Sequence, residues 1–392
     1  MNAHVHASAS DRHDLLLSAN GDDEGLIAEA GREKTVLRVV APGVLTALDP
    51  INYLSRWALA RQFLPGATNV SAGSVGMWAR EIITALDQPM AVTAKWRLVV
   101  APLYHVRKAS VIGARAQHSE RLEGQGRSPG WSASTRTVSS QPTAGENRCR
   151  LIREVLLEQL GKHRRWLLRS ASNCEGAFEE DERFVQLLLT SPECGWLSIC
   201  PPPELQRLRH WISPFTKGEV PVPNDRNAPS RAFAKLVETE LRLGRRIQPG
   251  EVCVDLGASP GGWTWVARQR GARVIAVDRS PLRDDLMNDS AVTFVRGDAF
   301  GYEPARPVDW LVCDVIAAPE RSVELVLEWA RRRWMRHFVV TIKLRVGDHP
   351  KLDRLKAELP AWSDDWYLTH LSANKHEACV FGTVRDSDPV SP

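Results

Sequence analysis

The chain has 392 residues, 43% hydrophobic and 25% charged, with a net charge of +4. That length exceeds one ordinary core, so two or three domains are expected, and the mild basicity permits nucleic-acid binding without requiring it. No run approaches the roughly 20 apolar residues of a membrane span, and the N-terminus lacks an apolar signal core, so neither a membrane-spanning nor a secreted class is indicated. The seven Cys (149, 174, 194, 200, 253, 313 and 379) include no Cys-x-x-Cys pair, so no zinc ribbon or redox pair is signalled. No metal site is expected, His4 and His6 being too few, and a reducing cytoplasm fits.

Residues 1–33 are polar, small and charged, and read as a disordered arm. An α+β region is expected over 34–203. Thr35–Val40 reads as a strand. Tyr53–Leu64, with Leu54, Trp57, Ala58 and Arg61 at helical spacing, reads as a helix. Ser74–Leu86 is a second helix, with Val75, Trp78, Ile82 and Leu86 on one face, and Trp96–Val100 a strand. Residues 114–148 lose their large aliphatics and read as a disordered insertion. A helix is expected at Leu151–Leu160, then strands at Arg165–Leu168, Phe184–Leu189 and Gly195–Ile199. The last two flank a hairpin-like turn, Ser191–Cys194. Two basic clusters with a Trp, at 163–169 and 331–336, read more simply as solvated faces.

Residues 204–229 read as a Pro-rich linker, and the pattern then becomes regular to about 385, before a short tail at 386–392. Apolar runs at Val252–Val254, Val274–Val277, Val292–Val295, Trp310–Cys313, Phe338–Ile342 and Ala378–Phe381 alternate with helical stretches. Such alternation predicts an α/β unit, a doubly wound parallel sheet whose ligands lie beyond the carboxyl ends of its strands.

Polar residues recur where those strands should end. The first is followed by Asp255-Leu-Gly-Ala-Ser-Pro-Gly-Gly262, the layout of strand, glycine turn and helix. Gly257, Gly261 and Gly262 let the backbone turn sharply and approach a ligand closely. Asp255 suits a cationic or hydroxyl-bearing group. Asp278 closes the second strand, 21 residues beyond Gly257, where an acid accepts from ribose hydroxyls. Asp298 follows the third and suits an adenine amine; Asp314 follows the fourth, Lys343 the next, and Glu377 precedes the last. Ser259 and Pro260 interrupt the glycine pattern a nicotinamide dinucleotide would want, which favours S-adenosylmethionine, a ligand without a pyrophosphate.

The segment from Ser230 to Phe381 resembles the FtsJ-like ribose 2′-O-methyltransferases, which use a Lys-Asp-Lys-Glu tetrad on a Rossmann-like sheet that binds S-adenosylmethionine. The resemblance implies that the tetrad here is Lys235, Asp314, Lys343 and Glu377. It also implies cofactor contacts at Ser230, Asp255, Gly257, Ser259, Pro260, Gly261, Gly262, Asp278 and Asp298, with Asp314 at the edge of the methyl site. Within the family the chain is most similar to the RlmM type, which acts on large-subunit ribosomal RNA. Asn227–Arg231 and the spacing of Asp314 to Pro319 carry that similarity. The type implies an N-terminal RNA-binding region containing a THUMP domain, and ribosomal RNA as the partner. Lys343 is then the expected general base, its pKa lowered by burial or by a second cation such as Lys235. The alternative is a non-catalytic RNA-binding or assembly factor that keeps the fold, against which the intact tetrad weighs. A base methyltransferase would show Asn/Asp-Pro-Pro-Tyr/Phe after the fourth strand, where this chain has Asp314-Val-Ile-Ala.

Overall fold

Two seven-stranded sheets organise the computed structural model, which describes residues 12–87, 95–104, 142–172, 176–345, 347–373 and 377–386. The first contains β1 (Arg12–Ser18), β2 (Leu37–Ala41), β3 (Val44–Ala47), β4 (Ala60–Ser71), β5 (Lys95–Pro102), β6 (Glu182–Leu189) and β7 (Cys194–Cys200). Their order is β2-β3-β1-β4-β7-β6-β5, antiparallel except for the parallel pair β5 and β6. Its helices are α1 (Asp23–Arg32), α2 (Val75–Leu86), α3 (Ala144–His163), α4 (Arg165–Arg169) and α5 (Pro202–Leu208).

β6 is buried along its whole length because helices cover both faces of the sheet. Val185, Leu187 and Leu189 point to α2 and α3, where Trp78, Ile82, Leu86, Ile152, Leu156 and Leu160 meet them. Phe184 faces the other layer, with Leu26 of α1 and Leu205 and Leu208 of α5. Local chemistry fixes the helix starts: Ser74 accepts from the Met77 N–H, and Thr143 and Glu146 close a reciprocal capping box.

Several expectations fail in this half. Residues 12–32 are no disordered arm: they form β1, at the middle of the sheet, and α1, leaving only residues 1–11 outside the described residues. The Tyr53–Leu64 helix does not form either. An irregular stretch leads instead into β4, and Phe63 and Leu64 point to opposite sides of the sheet. Arg165–Leu168 is helical, not extended. Of the expected insertion, residues 114–141 lie outside the described residues, and 144–148 already belong to α3. The expected linker begins with most of α5.

The second sheet contains β8 (Val252–Leu256), β9 (Arg273–Asp278), β10 (Val292–Arg296), β11 (Val308–Cys313), β12 (Met335–Lys343), β13 (Asp365–Thr369) and β14 (Glu377–Thr383). The helices are α6 (Phe233–Leu243), α7 (Gly262–Gln269), α8 (Asp284–Met287), α9 (Pro319–Arg331) and α10 (Asp353–Glu358). The order is β10-β9-β8-β11-β12-β14-β13. The first five strands are parallel, as the alternation predicts. β14 departs from the expectation by running antiparallel between β12 and β13, and β13 has no counterpart among the predicted strands. No described helix is long and apolar enough to cross a membrane.

The two halves are tied by buried polar contacts. Glu29 of α1 has a fully buried side chain, which accepts from the Ala58 N–H at 2.8 Å, the Leu59 N–H at 2.9 Å and Lys356 Nζ of α10 at 2.9 Å. The Ala58 carbonyl accepts from His370 N–H, and Arg56 Nε donates to the Trp366 carbonyl. Glu29→Ala strands two main-chain donors and leaves the Lys356 ammonium with only the more distant Glu33, and is expected to cost about 3 kcal/mol. A urea midpoint unchanged from the parent would refute that.

Candidate active site

In the second sheet β8 lies between β9 and β11, so the connections leaving β8 and β11 diverge and open a crevice at their carboxyl ends. The glycine turn fills one side of it. Gly257 has φ +77°, and a Cβ there would strike the Val315 side chain; Gly261 has φ +112°, and a Cβ there would strike Leu286. Gly262 opens α7 and leaves no room between itself and Ser230 Oγ. The turn therefore approaches its neighbours more closely than any side chain would allow. Its main chain is also held by Asp278, which accepts from the Ser259 N–H at 3.0 Å and the Ser280 N–H at 2.8 Å. The Ser259–Pro260 bond is cis.

The other strand-end acids differ among themselves. Asp298 is exposed, accepts from the Phe300 N–H, and lies 3.7 Å from Arg279 and 3.6 Å from Arg321. Asp255 departs from expectation. It lies inside β8, only 2% exposed, and accepts from Thr264 Oγ1 at 2.6 Å. Burial pushes its pKa from the ordinary 3.8 up to about 7, against the opposing Thr264 hydrogen bond. Because the folded value is the raised one, its contribution to stability is full below about pH 4 and declines as pH climbs toward 7. Trp263, the residue after the turn, is in the core, where its Nε1–H donates to the Ala232 carbonyl at 2.7 Å.

Four side chains meet on the far side of the crevice. Asp314 is the first residue after β11, Lys343 ends β12, and Glu377 begins β14. The antiparallel register sets Lys343 directly opposite Glu377. Lys235 comes from the first turn of α6. Lys235 Nζ lies 3.2 and 3.1 Å from the two Asp314 oxygens and also pairs with Glu377 Oε1. Lys343 Nζ lies 2.5 Å from Asp314 Oδ1 and pairs with Glu377 Oε2. The result is a closed ring in which each carboxylate serves both ammonium groups. Lys343 is its most accessible member, its side chain 22% exposed against 9% for Lys235 and 10% for Glu377.

The ring sets the protonation of Lys343. Burial alone would lower its pKa, but Asp314 and Glu377 outweigh that and hold it above the usual 10.5. The expectation of a lowered value is therefore reversed. Asp314 moves the other way: burial raises its pKa, but Lys235 and Lys343 hold it below the ordinary value. Thr341 was missed. Its Oγ1 donates to Asp314 Oδ1 at 2.5 Å. The signal was available, because Thr341 stands two residues before Lys343 on one strand and so shares its face.

Residues 228–346 match the model of the FtsJ-like methyltransferase family. Ribosomal RNA large subunit methyltransferase M of Halorhodospira halophila is 48% identical over 137 residues, 34% of this chain and 39% of that protein. The protein of the same name from Thauera aminoaromatica is 39% identical over 213 residues, 51% of this chain and 57% of that protein. The one from Teredinibacter turnerae is 40% identical over 164 residues, 40% of this chain and 45% of that protein. The matches thus span roughly half the length of these relatives. The C-terminal unit thus joins a parallel sheet and a glycine turn to a stretch, residues 228–346, that is similar to the FtsJ-like methyltransferase family.

Proposed function

We propose that the chain is an S-adenosylmethionine-dependent ribose 2′-O-methyltransferase acting on large-subunit ribosomal RNA, with Lys343 as general base. The ring of Lys235, Asp314, Lys343 and Glu377 beside the glycine turn carries the proposal. The curated relatives, named for ribosomal RNA of the large subunit, supply the substrate.

The turn suits the cofactor: Gly257 and Gly261 take positive φ and let it fold tightly against Val315 and Leu286, and Asp278 and Asp298 offer acceptors at successive strand ends. Gly257, Ser259, Pro260, Gly261 and Gly262 would hold it, with Asp278 on the ribose, Asp298 on the adenine and Ser230 behind the turn. Asp255 would support the turn from beneath. When bound, the cofactor supplies an electrophilic methyl group. A ribose hydroxyl is a poor nucleophile until its proton is withdrawn, and the chain's residues do that. Lys343 Nζ takes the proton once it is neutral, and its exposed flank passes the proton on to solvent. Asp314 and Glu377 fix where Nζ points. Lys235 shares their charge and so works against the protonation of Lys343. Holding both reactants in one crevice supplies further acceleration.

The test is incubation with labelled S-adenosylmethionine and ribosomal RNA lacking its own modifications, followed by mapping of the product. Label on a ribose 2′-oxygen is expected; label on a base, or none, would overturn the assignment. Asp278→Ala is expected to weaken cofactor binding about ten- to a hundredfold in calorimetry, since it removes a charged acceptor. Parent-like affinity would take Asp278 out of the site.

A further inference from the structure

Ile316 is 90% exposed, more than any other large apolar side chain among the described residues. It sits on the short connection from β11 to α9, which the fold holds firmly at both ends. Val315 packs into the core cluster and against Gly257, and Pro319 is buried at the start of α9. Ile316 is thus held out toward solvent by a fixed loop.

The position is particular. Ile316 is two residues beyond Asp314, so its Cα lies within about 7 Å of the ring's shared carboxylate residue. It is one residue beyond Val315, which closes over the cofactor turn. Nearby, Arg321 lies over Phe300 at 4.0 Å and 3.6 Å from Asp298. An exposed apolar side chain two residues from the ring's Asp314 suits a ligand with a flat apolar face attached to a hydroxyl-bearing sugar. A nucleotide whose base has left its stack has that chemistry.

Resting on the function proposed above, we propose that Ile316 is a positioning residue, the platform against which the base of the methylated nucleotide packs while its ribose enters the ring. It touches neither the transferred methyl nor the proton. Its contribution is to RNA capture.

The experiment pairs Ile316→Ala with two RNA substrates, one carrying the mapped target nucleotide intact and one with that nucleotide's base removed. Ile316→Ala is expected to lower kcat/KM on intact RNA about tenfold, through KM, because the lost contact is an apolar one. On the abasic RNA the same substitution is expected to change nothing, since its partner is already gone. Calorimetric affinity for S-adenosylmethionine should match the parent. An equal loss on both RNAs, or weakened cofactor binding, would overturn the platform while leaving the methyltransferase reading intact. Parent protein that transfers no methyl group to either RNA would overturn both.

Discussion

Lys343→Met is expected to reduce methyl transfer by about two to four powers of ten while leaving cofactor affinity near that of the parent. The methionine keeps the length and apolar stem of the side chain and removes the only group in the ring with an accessible nitrogen. The parent's pH dependence carries the same logic. Asp314 and Glu377 hold the Lys343 ammonium above its ordinary pKa, so the neutral amine is scarce near neutrality and grows as pH rises. kcat/KM, which reports the free enzyme, should therefore climb about tenfold per pH unit on the alkaline side of neutrality. Single-turnover rates across that range check both points. A flat profile, or a Lys343→Met variant within a few-fold of the parent, would remove Lys343 from the chemistry.

Asp314→Asn attacks the ring from its other side. The substitution removes one of the two carboxylates that Lys235 and Lys343 share and leaves both ammonium groups with Glu377 alone. Two like charges beside one acid disfavour full protonation, so the ascending limb of the pH profile should move to lower pH. The rate at its best pH should still fall about a hundredfold, because Nζ is no longer aimed. A fall in rate with no movement of the limb would mean that Asp314 only shapes the pocket. The two measurements separate charge from placement, which a single activity value at one pH does not.

How far the sequence was legible depended on the kind of signal. Apolar runs alternating with helical stretches are easily read, and the acids at their ends stood out because four followed four strands. That pattern located Asp278, Asp298 and Asp314, and the lysine ending an apolar strand located Lys343. It did not reveal that Asp255 lies beneath the turn, since burial of one strand residue depends on the helix packed over it. Nor did it reveal the direction of the Lys343 shift, which depends on two acids brought from other strands. In the N-terminal half, short apolar runs misled. Leu54, Trp57, Ala58 and Arg61 fall at helical spacing, yet the stretch bends to meet α1 and β13 and then continues as a strand. Arg165–Leu168 has too few residues for its period to distinguish helix from strand. Arg12–Ser18 was lost in a polar tract, although Leu15 and Leu16 are fully buried at the middle of a sheet.

The antiparallel seating of β14 gives this unit a built-in ruler. Lys343 and Glu377 face each other only because their strands pair residue for residue from His337 and Thr383 onward. Slipping that pairing by one position would turn Glu377 to the other side of the sheet and open the ring. The chain between them is no bare loop: it carries α10 and β13, and β13 pairs with β14 along its whole length. Insertions compatible with that register are therefore those that leave α10, β13 and the seven-residue β14 in place.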